Sequence, residues 1–547
     1  MRRASRQAGM QNSVNGLKQL EMDGSRLDEL SERLETGSLC AEDYKALKAL
    51  VDTFRQLALQ YQQAKTSVKR LLKIIFGSGT EKTDKVLKRA PKTSPETASG
   101  GKEGKPKRKG HGRLGADDYP GAEEVCVEHG TLKPGDKCPA CGKGCLGARK
   151  RSSQIVHLVA QPLIKATRHI LQVLRCNSCQ ATFTATPPPE AGQNKYEDNV
   201  APMIASARYG YGLPLNRLAD MQMSQGVPMP IGTQWELLSE YRAEVEPVIG
   251  TELLRQASGG SVMHNDDTPA RILAVEKEIR EQEAKAAGKK MRTGVFTTGV
   301  VSVVGDRRIA LFFSGREHAG ENLQKVLELR PADLPAPIQM SDALSRNVPE
   351  SKTVWSNCNS HGRREFVDIA DHFPVECAHV LDTIKQVYKY EADTVEQDMS
   401  AQQRLLYHQE HSSPLMDGLK LWMEQKIADR QVEPNSGLGA AIKYELKHWK
   451  ELTLFLRMPG APIDNNVCER ILKAAIRHRD NSLFYKTLNG AKVGDFFMSV
   501  IQTCRLNGKN PFHYLTTIRR FIAQVRSNPA LWMPWNYQAT AAGIESS

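Results

Sequence analysis

The sequence predicts a multidomain α+β protein, and three observations carry that prediction. A heptad seam marks a long N-terminal helix, two Cys-x-x-Cys pairs follow it, and near residue 260 the hydrophobic period changes from helical to alternating. At 547 residues the chain is also too long for a single core.

The seam runs through Leu47, Leu50, Phe54, Leu57, Tyr61, Ala64, Val68, Leu71 and Ile75. Its steps alternate three and four residues, the spacing of a coiled coil. A helix this short is marginal alone, so region 1–78 predicts a homodimer as the minimum assembly. A single amphipathic helix packed on its own chain is the competing reading. Segment 79–120 is basic: from Lys82 to Leu114, eleven Lys or Arg stand against three acids, in a chain of net charge +13. Its Gly, Pro, Ser and Lys content cannot build a core and reads as a flexible linker. Lys107, Arg108, Lys109 and Arg113 in it would follow a phosphate backbone through charge alone, which makes a polyanion the expected partner.

Region 121–186 holds Cys138-Pro139-Ala140-Cys141 and Cys176-Asn177-Ser178-Cys179. Each pair offers two thiolates from one tight turn, and two pairs complete a tetrahedral, structural Zn²⁺ site with no position left open for catalysis. The strand-like runs 153–160 and 169–174 lie between them, predicting a zinc ribbon. The 34 residues between the pairs exceed the commonest spacing, and Cys126, His129 and Cys145 are alternative ligands. The eleven cysteines and the polar start Met1-Arg2-Arg3 fit an intracellular chain whose thiols are reduced. No run of eighteen apolar residues exists, so no membrane span is expected.

Region 187–258 reads as a helical lead-in, with a break at Gly226-Val227-Pro228. That break could be the turn of a helix-turn-helix, but few cations follow it, so a structural role is favoured. Region 259–500 opens with a strand, Gly260 to Pro269, running into Asp266-Asp267. Strands follow at 293–304 and 307–314, separated by a Gly-Asp turn, then a helix near 321–329. Short strands at 337–340 and 353–357 come next, the first delivering Ser341-Asp342, and residues 365–457 are almost wholly helical. Three antiparallel strands, a helix and a strand ending in Asp form the skeleton of an RNase H-like α/β core, here with a long helical insertion. Region 501–547 is a helical tail.

After the insertion stands Ile463-Asp464-Asn465-Asn466-Val467-Cys468-Glu469-Arg470. Asn466 sits at the expected N-cap of a helix, and Asp464 reads as a turn former. Helix spacing aligns Glu469, Lys473 and Arg477 on one side and turns Leu472, Ala475 and Ile476 toward a core. In an RNase H-like core Asp266, Asp342 and Glu469 converge, and three hard oxygen ligands there suit two Mg²⁺ ions acting on a phosphodiester.

These residues resemble the transposases of the insertion sequence 66 family, which use a DDE triad. The resemblance covers roughly residues 45–537. It includes Ile75-Phe76-Gly77, His111-Gly112-Arg113, the paired Cys-x-x-Cys motifs, Asp266-Asp267-Thr268-Pro269 and Ser341-Asp342. It continues with Cys358, His361 and Arg363-Arg364, then Tyr388, Glu391, Arg404 and Ser413-Pro414. The Ile463-to-Arg470 block, Leu506-Asn507-Gly508 and Pro534-Trp535-Asn536 complete it. What the resemblance implies is a DNA transposase that cuts at the terminal inverted repeats of its own element and joins the ends to a target. Asp266, Asp342 and Glu469 would be the catalytic acids and would hold Mg²⁺, with Mn²⁺ as a substitute. Arg470, Lys473 and Arg477 would grip phosphates, and Arg363 and Arg364, with His361, would line the same site. A homodimer or higher oligomer on DNA, accessory proteins of the same element and a place at the bacterial nucleoid in the cytoplasm are implied with it. Two departures stand out. Asp267 replaces the family's usual Glu and could share the metal, and His478-Arg479-Asp480-Asn481 replaces a Gly-Arg-Lys-Asn run, which leaves the DNA grip near Arg479 in doubt.

Overall fold

The computed structural model describes residues 24–51, 82–87, 131–141, 143–146, 163–175, 177, 182–191, 194–285 and 292–546. Most of the heptad seam, the basic cluster Lys107–Arg108–Lys109 with Arg113, the second Cys-x-x-Cys pair, Cys126 and His129 lie outside those residues. The chain forms two compact units, one of residues 1–91, 194–218 and 230–547, the other of residues 92–193 and 219–229.

The larger unit is built on a mixed five-stranded sheet. Its strands are β1 (Val262–Pro269), β2 (Phe296–Val304), β3 (Arg307–Gly315), β4 (Ile338–Ser341) and β5 (Val354–Asn357), in spatial order β3-β2-β1-β4-β5. The first three pair antiparallel, and β4 and β5 run parallel to β1. Each strand lies within a few residues of its expected place. The β2–β3 turn needs Gly305, which holds φ +63°, a region that side-chain-bearing residues rarely adopt. Helices α1 (Leu273–Lys285) and α2 (Ala319–Leu327) interleave with the strands, and α3 (Asn359–Ile369) follows β5 directly. Helix α1 falls where no element was expected. Its many Glu, Lys and Arg residues hide a thin apolar stripe, Val275 and Ile279, packed with Ile272 and Tyr485.

The insertion consists of α4 (Pro374–Glu396), α5 (Ala401–His411), α6 (Ser413–Ala428) and α7 (Gly437–Lys447). Local signals set these ends. Pro374 and Pro414 occupy first-turn positions, where a missing N–H costs nothing. Ser400 accepts from the Gln403 N–H while the Gln403 side chain accepts from the Ser400 N–H, a reciprocal cap. The insertion has its own core around Phe366, Leu381, Met423 and Ile442, against which Val86 and Leu87 also pack. A second cluster, with Val387, Met416, Phe455 and Ile463, seats it on Val262 and Ile338 at the starts of β1 and β4. Half-buried Glu391 locks this arrangement by accepting from Arg404 and His408 at 2.8 Å each, and Arg404 donates on to the Ala461 carbonyl at 2.7 Å. The segment leading into the last helices is thereby fastened to the insertion.

Two more helices, α8 (Asn466–Ser482) and α9 (Leu488–Leu506), complete the core. Helix α9 solves the problem of the free sheet edge. The outward N–H groups of Arg308, Ala310, Phe312 and Ser314 on β3 donate to side chains of Asn507, Thr503, Ser499 and Asp495. Four helical residues rise about 6 Å, and two strand residues about 6.8 Å, so a polar residue every fourth position can serve every second strand residue. The edge is thus closed to pairing with another chain.

Asp495 is fully buried in that ladder, and burial pushes its carboxyl up to about 7 against the hydrogen bonds from Ser314. Its folded value exceeds its unfolded one, so between about pH 4 and pH 7 the folded chain binds the extra proton, and stability falls as pH rises through that window. Buried Glu445, pushed up to about 8 by burial and by Glu365, acts in the same direction. Asp495→Asn should keep the ladder, because the Ser314 hydroxyl can accept from the new amide. Urea midpoints at pH 5 and pH 8 should therefore differ less in Asp495→Asn than in the parent; an unchanged difference would refute this account.

In the smaller unit, Cys138 and Cys141 lie on a tight turn closed by the Cys138 N–H donating to the Gly144 carbonyl at 2.7 Å, with Lys137 bridged to Cys145. Backbone N–H groups of Gly144 and then Lys143 aim at the Cys141 sulfur and hold its thiol below the ordinary range, with help from Cys138. Further on, Val173–Arg175 pairs antiparallel with Thr182–Thr184. The strand expected at 169–174 is therefore shifted, and among the described residues its partner lies beyond the second cysteine pair. The strand expected at 153–160 falls outside the described residues. Among the described residues no helix is long and apolar enough to cross a membrane.

Candidate active site

The site lies midway along β1 and just past the end of β4. Asp266 sits opposite Gly299 of β2, so the two share one face of the sheet. Helix α8 covers that face. A Cβ on Gly299 would stand 3.0 Å from Leu472, and the Cys468 thiol donates to the Gly299 carbonyl at 3.2 Å. Glycine at this one position lets α8 approach closely enough for the charge of Glu469, one turn into the helix, to act on Asp266.

The ends of β1 and α8 are tied by Asn465, which is fully buried. Its side-chain N–H donates to the Asn265 carbonyl at 3.2 Å, its Oδ1 meets His264 Nδ1 at 3.1 Å, and its backbone N–H donates to Cys358 Sγ at 3.2 Å. This corrects the expected cap. Asn466 is the first helical residue, and Asp464 Oδ1 accepts its N–H at 3.0 Å, so Asp464 makes the turn while Asn465 is spent on tertiary contacts.

Asp342 follows β4 and is held from its own loop. Its Oδ1 accepts from the Asn347 side chain and from the Leu344 N–H. The Asn347 carbonyl in turn accepts from Asn265 and Gln339 at 2.7 Å each. Buried Asn347 therefore links the residue beside Asp266 to Asp342. Helix α2 supports this loop through Gly320, where a Cβ would stand 2.4 Å from the Val348 carbonyl oxygen and 2.8 Å from that of Arg346. Those are backbone atoms and cannot rotate away. Gly320→Ala should cost about 1–3 kcal/mol and weaken divalent-cation binding as Asn347 moves. Calorimetric titration of the folded variant tests this, and parental affinity would count against it.

The three carboxylates feel one another. Burial first, then the charge of Asp342, with Asp267 and Glu469 adding, pushes the Asp266 carboxyl up to about 7, although it accepts the Asp267 N–H at 2.8 Å. Glu469 Oε1 is buried and has no hydrogen-bond partner among the described residues. Crowded acids with an orphaned oxygen are what a bound cation would relieve.

Asp267 is not among them. Alternation turns it to the opposite face, where its almost wholly buried carboxylate pairs with His318 Nδ1 at 3.0 Å and Arg346 at 3.4 Å. The expectation that it shares the metal is corrected by strand register. The replaced run after α8 begins is also accounted for. His478 is stacked between Tyr209 and Tyr485, Arg479 donates to Thr268 Oγ1 at 3.2 Å and to the Pro269 carbonyl, and Asn481 donates to the Gly212 carbonyl at 2.9 Å. These side chains fasten α8 to its surroundings.

Of the other expected residues, Arg470, Lys473 and Arg477 are exposed along α8, though Arg477 donates to the Gly210 carbonyl at 3.2 Å. Arg363 and Arg364 are half-buried on α3, and Arg363 reaches Thr83 Oγ1 at 3.4 Å. Cys138 and Cys141 belong to the smaller unit, and Cys176 and Cys179 lie outside the described residues. Asn347 and Asn465 were missed, since a buried amide in a polar loop leaves no periodic signal.

A mixed five-stranded sheet, with Asp266 on its central strand, Asp342 just past β4 and Glu469 in the first turn of the covering helix, defines a mixed α+β protein. The chain belongs to the Transposase IS66 family, whose family model matches residues 195–493, the stretch that contains all three acids. Membership indicates a DNA-processing role and dependence on a divalent metal. The chain is also similar to two uncharacterised proteins of Sinorhizobium fredii (strain NBRC 101917 / NGR234). It is 24% identical to y4hP over 460 residues, covering 77% of each chain. It is 22% identical to y4jD over 433 residues, covering 75% of this chain and 80% of the other.

Proposed function

We propose that this chain is a DDE transposase with an RNase H-like catalytic core, which binds the terminal inverted repeats of its element and carries out phosphodiester cleavage and strand transfer. One observation carries the reading: the charges of Asp342 and Glu469 reach Asp266 and add to the burial that raises its proton affinity. These three residues would hold Mg²⁺. Bound there, divalent cations would supply activation of a water or 3′-hydroxyl and stabilise the leaving oxygen. The protein's part is positioning. Asn465 and Asn347 hold the acids in register, and the exposed cations Arg470 and Lys473 lie on the Glu469 side of α8, where a phosphate backbone would run.

In the smaller unit, Cys138, Cys141, Cys176 and Cys179 would bind structural Zn²⁺. The N–H groups trained on Cys141 favour its thiolate, which is the form a metal takes. The basic segment with Lys107, Arg108, Lys109 and Arg113 would follow DNA without reading it, and the heptad seam would pair two copies. The test is strand transfer of a labelled terminal-repeat duplex into a target plasmid with Mg²⁺, with accessory proteins added. Joined products support the reading. Cleavage without joining would replace it with a nuclease, and binding without chemistry with a DNA-binding regulator.

A further inference from the structure

Helix α3 brings a second kind of donor to the same point. Strand β5 pairs with β4 so that Asn357 lies opposite Ser341, and the Cys358 N–H donates to the Ser341 carbonyl at 3.0 Å. The first turn of α3 therefore begins beside Asp342. Its backbone is anchored by Asn359, whose side chain donates to the Leu452 and Ile463 carbonyls at 2.9 and 3.0 Å. His361 is carried on that turn, with Nδ1 3.7 Å from Glu469 Oε1. Both atoms are buried, and neither has a hydrogen-bond partner among the described residues. The separation is too long for a hydrogen bond, yet two ligands at about 2.0–2.2 Å from one ion stand about 3–4 Å apart.

We propose that His361 is a nitrogen ligand to the divalent ion that Glu469 holds, so that the centre is mixed carboxylate–imidazole and not all-oxygen. The proposal rests on the carboxylate reading above. Cys358 is the third group nearby, with ligand atoms of Cys358, His361 and Glu469 all within 4.8 Å of one another. Its sulfur already accepts the Asn465 N–H and is sealed from solvent, so it serves as a structural link. Imidazole favours Mn²⁺ and later transition metals over Mg²⁺, whereas carboxylates alone suit Mg²⁺. The site should thus discriminate between these ions through one side chain.

Mn²⁺ added to the full chain is the probe, read by equilibrium titration and by electron spin-echo modulation from directly bound ¹⁴N. The parent should show nitrogen modulation. His361→Ala should lose it and bind Mn²⁺ about tenfold or more weakly, the scale seen when metal-site partners are removed, with a smaller change for Mg²⁺. His361→Asp should restore binding without modulation and shift preference toward Mg²⁺, which separates loss of a ligand from loss of folding. Mn²⁺ bound to the parent without nitrogen modulation overturns the proposal and leaves the carboxylate site standing. Equal Mn²⁺ binding by the parent and Asp266→Asn overturns the carboxylate reading, and the proposal falls with it.

Discussion

Glu469→Gln should reduce cleavage and joining by about 10³-fold or more while leaving DNA binding in place. Removing one preorganised group that stabilises a transition state costs about 10²–10³, and a carboxylate that holds the catalytic ion should cost at least that. The substitution is close to isosteric. Among the described residues Glu469 Oε1 has no hydrogen-bond partner to lose, only the approach of His361 at 3.7 Å. Folding should even gain slightly without metal, because one of the charges that raise the Asp266 proton affinity disappears. Three measurements therefore move in different directions: strand transfer falls, terminal-repeat binding holds, and the melting temperature in EDTA stays equal or rises. Activity within tenfold of the parent would remove Glu469 from the catalytic set. A lower melting temperature in EDTA would mean that the carboxylate is a structural group.

Much of this architecture is legible in the sequence because hydrophobic period records which faces are covered. Strands β2 and β3 alternate across a tight Gly-Asp turn, β4 ends in Ser341-Asp342, and α8 keeps an apolar stripe of Ile471, Leu472 and Ala475 under its charged side. Asp342 stands out because it directly follows a short strand, and Glu469 because it opens a helix. What period cannot tell is how neighbours divide between faces. Asp266 and Asp267 are equivalent by composition, and only the register against Gly299 and Thr298 sends one to the cluster and the other to His318 and Arg346. Buried amides are harder still. Asn347 and Asn465 resemble ordinary loop residues, and their importance comes from partners 82 and 200 residues away in the chain. Asp495, Ser499, Thr503 and Asn507 recur every four residues, but that spacing acquires meaning only from the edge strand beside it.

Asn465→Leu should be the most damaging substitution outside the acids, costing about 2–6 kcal/mol, the sum of two buried groups left unpaired. Leucine fills the volume but offers nothing to His264 Nδ1 or to the Asn265 carbonyl, both deep in the core. His264 cannot compensate by charging, since burial first of all holds its proton affinity down at about 4. The damage should also reach the site, because Asn465 immediately precedes the helix that carries Glu469. Asn465→Asp provides the contrast. It keeps an acceptor for His264 but sets an oxygen against the Asn265 carbonyl and adds a negative charge near Asp266 and Glu469. If Asn465 acts as a neutral two-way connector, the Asp variant should also be destabilised, and more so at pH 8 than at pH 5, where protonation relieves the crowding. Urea unfolding of both variants, with and without Mg²⁺, decides the matter. A Leu variant that unfolds at the parental midpoint would show that α8 is held in place by apolar packing through Leu472 and Gly299 alone.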